Sequence, residues 1–120
     1  VEVASLRKKT EFQILFKKGK RLYKEHFTVV YLFQDAHDND PPSLKIAYVV
    51  SKKVSVKAVI RNKIKRRMRV AVREPLKERG LQDMELEKNI FIAIIASKKV
   101  LEASFQQISL EIKESLEKLV

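Results

Sequence analysis

Phe12, Leu15 and Phe16 recur at three- and four-residue spacing, the mark of one helix face. Thr10 and Gln13 precede them at capping-box spacing, and Gly19 stands where a terminator belongs. The period then shortens. From Leu22 to Phe33 the chain turns β-branched and aromatic, most densely from Phe27, and predicts a strand. QDAHDNDPPS (residues 34–43) is polar, acidic and proline-bearing, so it reads as a connecting loop. LKIAYVVS (residues 44–51) predicts a second strand.

From Val56 to Arg73 helical spacing returns. At about 100° per residue, Ile60, Ile64, Met68 and Ala71 share one arc with Val72 at its edge, and Pro75 and Gly80 are expected to close the helix. NIFIAIIAS (residues 89–97) is almost wholly apolar and of strand length, which predicts a central strand buried on both faces. Leu101, Phe105, Ile108, Ile112, Leu116 and Leu119 then form a helical stripe. Packing of that stripe on the sheet is the expectation, with dimerisation through it as the alternative.

Composition narrows the class. At 120 residues, 45% of them hydrophobic, the chain is expected to form one domain with a real core. The absence of cysteine excludes disulfides and thiolate metal sites. The longest apolar run, Ile90 to Ala96, is too short to span a bilayer, and VEVASLRKKTEF has no signal-peptide core. A soluble, cytoplasmic protein is expected. Val1 is not an initiator methionine, so a few residues are expected to precede it.

Charge changes the picture most. Between Lys52 and Arg73 lie ten bases and no acid, whereas the whole chain carries +11. The remaining 98 residues therefore hold 16 bases against 15 acids, or +1. Concentrated like charge costs self-repulsion that a polyanion relieves on binding. On the helix, Arg61, Lys65 and Arg69 form a row spaced by four beside the apolar arc, with Asn62, Arg66 and Arg73 beyond. Solvated helix faces mix signs so that acids and bases pair four residues apart, and this one does not. Calmodulin- or membrane-binding helices need bulky hydrophobes on the face that the core requires here. Nucleic acid is the expected partner.

Residues for hydrolysis are scarce. The basic segment offers no carboxylate as base or metal ligand, and His26 and His37 are the only histidines. Asp35, Asp38 and Asp40 lack the rest of a calcium loop and read as a solvated turn. Two glycines cannot build a phosphate-cradling loop. No catalytic residue and no protein-bound metal or cofactor is expected. A major-groove DNA reader would need a second helix joined by a short turn, whereas strands flank the basic helix, so no DNA partner is expected.

The run SKKVSVKAVIRNKIKRRMR, preceded by LKIAYVV, resembles the bacterial ribonuclease P protein subunit. A strand ending in Ser51, Lys52 and Lys53 leads through a short loop to Arg61, Asn62, Lys65, Arg66 and Arg69, the family's order of motifs. LRKKTEFQILFKKGKR matches the family's amino-terminal block, with Phe12 and Phe16 as its paired phenylalanines. Lys63 departs from the arginine usual at that place, Ala47 and Tyr48 replace a commonly glycine-bearing stretch, and the loop after Lys53 has no glycine.

The resemblance implies an α/β (α+β) sandwich: a central sheet of about four strands, an amino-terminal helix, a basic crossover helix of left-handed connection, and a carboxyl-terminal helix. It would be a single RNA-binding domain over residues 1–120, with residues 1–8 a candidate flexible lead-in. It further implies a non-catalytic subunit of an endoribonuclease, in which magnesium-dependent RNA removes the 5′ leader of precursor tRNA. Lys53, Arg61, Asn62, Lys63, Lys65, Arg66, Arg69 and Arg73 would contact the RNA subunit. Phe12, Phe16, Val30, Ser51 and Lys52 would contact the leader, plain core packing of the two phenylalanines being equally open. A structural, ribosomal-type RNA binder and a metal-dependent protein nuclease are the competing classes.

Overall fold

The computed structural model describes residues 3–36, 39–78 and 86–119. In chain order these form β1 (Val3–Ser5), α1 (Lys9–Lys18), β2 (Lys20–Tyr23), β3 (Phe27–Gln34), β4 (Leu44–Val49), α2 (Ala58–Glu78), β5 (Asn89–Ala96) and α3 (Phe105–Leu119), the last preceded by a 3-10 turn at Lys98–Glu102. The strands make one mixed sheet in the order β1-β4-β5-β3-β2. β4 and β5 are parallel neighbours and α2 connects them, as parallel pairing requires a crossover.

β5 is central, as its sequence demands. Ile90, Ile92, Ile94 and Ala96 face the α2–α3 side with Leu44, Ile46, Val29 and Phe27. Phe91 and Ala93 face the other way, joining Leu6, Leu15, Val30 and Ala47 beneath α1. Each fully buried isoleucine contributes roughly 1.5–3 kcal/mol over an exposed one. Ile64, Met68, Ala71 and Val72 bury the expected arc of α2 with Ile60 packed at its edge, and Ile108, Ile112 and Leu116 bury that of α3. The α3 stripe thus packs inward, although Leu101 and Phe105 at its start stay exposed.

Several expectations are corrected. Residues 3–5 are not a free lead-in: β1 pairs in parallel with Leu44–Ile46, and Leu6 continues by donating its N–H to the Ile46 carbonyl. The stretch from Leu22 to Phe33 is two strands, because the chain reverses at Glu25 and His26. That turn contains no glycine, proline or asparagine. Glu111 of α3 holds it instead, accepting from the His26 backbone N–H at 2.8 Å and lying 2.6 Å from its Nδ1.

Helix α1 begins one residue before Thr10, with Lys8 at the N-cap and no side-chain cap, so the expected capping box is not made. Helix α2 runs through Pro75 to Glu78, because Pro75 and Leu76 are buried and packing offsets the missing backbone bond. Gly80, His37 and Asp38 lie outside the described residues. Gly19 does end α1, donating its N–H to Leu15 at 2.8 Å with ordinary extended φ. It is required by close approach: a Cβ would collide with the Leu15 carbonyl oxygen and sit 3.0 Å from that of Tyr31.

Candidate nucleic-acid interface

The basic surface begins where β4 ends. Ser51, Lys52 and Lys53 are exposed on a turn anchored by buried Val54, whose N–H reaches the Ser51 carbonyl at 3.0 Å. Arg61 then folds back on this loop. Its Nη1 donates to the carbonyls of Ser55 and Val56, both at 2.9 Å. The side chain expected to lie free on the RNA-facing row is therefore half-buried and spends one edge of its guanidinium on holding Ser51–Lys57 in shape.

Beyond Arg61 the helix divides as its sequence predicts. Asn62, Lys63, Arg66, Arg69 and Arg73 are exposed, and Lys65 is half-buried at the border of the apolar arc. Asn62, Arg66, Arg69 and Arg73, spaced by four, three and four, form one continuous outward ridge. Among the described residues, none of the ten cations from Lys52 to Arg73 forms an ion pair. Free guanidinium forks suit bidentate phosphate contacts.

Arg69 carries one further contact. Its guanidinium carbon lies 5.5 Å from the centre of the Tyr48 ring on β4, within cation–π range. Burial pushes the Tyr48 hydroxyl up to about 12, against the opposing pull of Arg69 and Arg73. Tyr48 belongs with Ala47 to the stretch that by the resemblance commonly bears glycine, and its ring backs the Arg69 side chain of the cationic ridge.

On the opposite face of the sheet, Leu15 of α1 is fully buried on Val30, Ala47 and Ala93. Phe12 and Phe16 flank it, their rings stacked with centroids 6.2 Å apart and planes 12° from parallel. Phe12 is half-buried against the cluster and Phe16 is exposed at the rim, so the pair serves both packing and surface. Beside them the sheet is uncovered: Val49, Ile95 and Thr28, neighbours across β4, β5 and β3, are each half-buried. That row leads through Val50 to Ser51 and Lys52, which brings the groove and the basic loop together.

Val30 is the exception among the expected leader contacts. It is wholly buried under α1, since its place in β3 puts its side chain beneath Leu15. The row one step along the sheet, Val49, Ile95 and Thr28, is half-buried and was not among the expected contacts. Period-two alternation about Val30 marks Thr28, but only the strand register reveals its neighbours. A second hollow of about 560 Å³ lies on the other side of α1, where Glu11 meets Lys45 at 2.7 Å and Lys8 and Asp40 also line the wall. Its charges balance, unlike those of the ridge. No helix among the described residues is long and apolar enough to cross a membrane.

A family model described as Ribonuclease P matches residues 2–120. The ribonuclease P protein component of Microcystis aeruginosa is 38% identical over 77 residues, covering 64% of this chain and 63% of that protein. That of Bacillus cereus is 35% identical over 111 residues, covering 92% of this chain and 83% of that protein. Among solved structures, the RNase P protein from Thermotoga maritima superposes with a TM-score of 0.66 at 27% identity, covering 95% of this chain and 96% of that one.

Proposed function

This chain belongs to the ribonuclease P protein family, and from that premise we propose that it is the protein subunit of a cytoplasmic ribonucleoprotein that removes the 5′ leader of precursor tRNA. In this reading Arg66, Arg69 and Arg73 of the ridge, with Lys53, Lys63 and Lys65 beside it, neutralise phosphates of the catalytic RNA, and Asn62 offers it a neutral hydrogen-bonding amide. Arg61 shapes the loop that presents Ser51, Lys52 and Lys53. The groove beside Phe12 and Phe16 takes the single-stranded leader, where base stacking on an aromatic is worth about 1–3 kcal/mol per base.

One observation carries the proposal. A helix of unpaired cations and a half-open aromatic groove meet at Ser51–Lys53, so structured RNA and a single strand issuing from it can be held at once. The groups needed for hydrolysis do not accompany this surface: the segment from Lys52 to Arg73 has neither carboxylate nor histidine. Cleavage is therefore assigned to the RNA and its magnesium, and the protein's residues bind and orient.

Reconstitution tests this directly. Mixed with a bacterial ribonuclease P RNA at low magnesium, the protein is expected to stimulate leader removal strongly and to cleave nothing alone. Tight RNA binding without stimulation would instead indicate a structural RNA binder. Cleavage by protein alone would overturn the assignment of the chemistry.

A further inference from the structure

The uncovered row does not stop at Thr28. Thr28 lies opposite Tyr23 of the edge strand β2, as it lies opposite Ile95 of β5. Directly opposed residues share a face of a sheet, and Ile95 packs against the cluster beneath α1. Tyr23 therefore stands on the α1 face. By the same register Arg21, opposite Val30, stands there too. Leu22 between them packs into the other core, as alternation requires.

An exposed tyrosine on an edge strand is ordinary by itself. This one is 74% exposed at the end of a row whose other members are half-buried. Arg21 shares its face and Lys24 follows it in the chain, and among the described residues neither forms an ion pair. The row thus links two cationic ends, Ser51–Lys53 at one and β2 at the other. Three strand spacings of about 4.8 Å separate Val49 from Tyr23, roughly 14 Å, or at most about four nucleotides stacked 3.4 Å apart.

We propose that Tyr23 is a stacking platform for the distal part of the single-stranded leader, with Arg21 beside it for a phosphate. The groove then has a direction: nucleotides nearest the cleavage point lie at Ser51–Lys53, and upstream ones reach Tyr23. This rests on the reading of the groove as the leader site, and adds to it a residue and a polarity.

The test is precursor-tRNA affinity of holoenzyme reconstituted with wild type, Tyr23→Ala or Tyr23→Phe, using leaders of about 2, 5 and 10 nucleotides. Affinity for the RNA subunit alone serves as the folding control. Tyr23→Ala is expected to weaken the longer leaders by roughly 5- to 150-fold, to leave the shortest unchanged, and to be rescued by Tyr23→Phe. Equal affinity of Tyr23→Ala and wild type on every leader, with wild type still favouring long ones, overturns the role of Tyr23 alone. A loss that is the same at all lengths overturns it as well. Indifference of wild type to leader length would instead remove the leader site itself.

Discussion

Replacing Arg61 by lysine separates the two roles a basic residue can have here. Lysine keeps the positive charge but not the fork, and Arg61 directs that fork at the Ser55 and Val56 carbonyls, both at 2.9 Å. Each such bond is worth about 0.5–1.5 kcal/mol net, and partial exposure favours the low end. A loss of about 1 kcal/mol is therefore expected in the stability of the loop from Ser51 to Lys57. One kcal/mol is roughly a fivefold change in an equilibrium. The loop opens more often, and affinity for the RNA subunit falls by up to about that factor.

Two readouts distinguish this from a lost phosphate contact. Amide exchange at Val54, whose N–H is bonded to Ser51 at 3.0 Å, should quicken. The slope of log affinity against log salt should stay as in wild type, since the number of cations is unchanged. Unaltered exchange and affinity in Arg61→Lys, together with a slope about 1 shallower in Arg61→Ala, would refute the clasp and return Arg61 to the ridge.

Three further outcomes follow from the same geometry. Replacing Arg66 and Arg69 together by alanine should flatten the salt slope by roughly 1.4–1.8, at 0.7–0.9 per phosphate; an unchanged slope in filter binding would exclude the ridge as the RNA contact. Tyr48 keeps its proton to about 12 when folded, against the ordinary tyrosine value of 10.0 in the unfolded chain, so the stability it confers is complete below pH 10 and lost as pH rises toward 12. Chemical denaturation should show that decline, at most roughly 3 kcal/mol, diminished in Tyr48→Phe. Gly19→Ala should cost about 3 kcal/mol, since backbone oxygens of Leu15 and Tyr31 cannot yield cheaply; a urea midpoint within error of wild type would contradict the close approach.

Where the sequence pattern carried burial, the elements were legible. Ile64, Met68 and Ala71 announced the docked face of α2, and Ile90 to Ala96 could only be a strand covered on both sides. Elements whose stability comes from elsewhere were not. Val3–Ser5 are all exposed and held by backbone pairing to β4, which leaves no side-chain pattern to read. The break between β2 and β3 depends on Glu111, 85 positions from His26, rather than on local turn residues. For the candidate site, the cations were evident from their number. The floor of the groove was not, because it consists of single residues from separate strands aligned by register.

The central position of β5 also dictates when this protein can come into being. β4 and β3 never touch one another in the sheet; each is bonded to β5, pairing as far as Val49 with Ile95 and Phe27 with Ala96. Only the β2–β3 hairpin and the β1–β4 pair can form before residues 89–96 have been synthesised. The hairpin's turn acquires its Glu111 partner later still. Contacts at such separation are the slow ones in folding, so every cation of the ridge is synthesised before the core that will orient it exists. Assembly of this binding surface consequently waits for β5, and a nascent chain truncated before β5 would carry the charge without the shape.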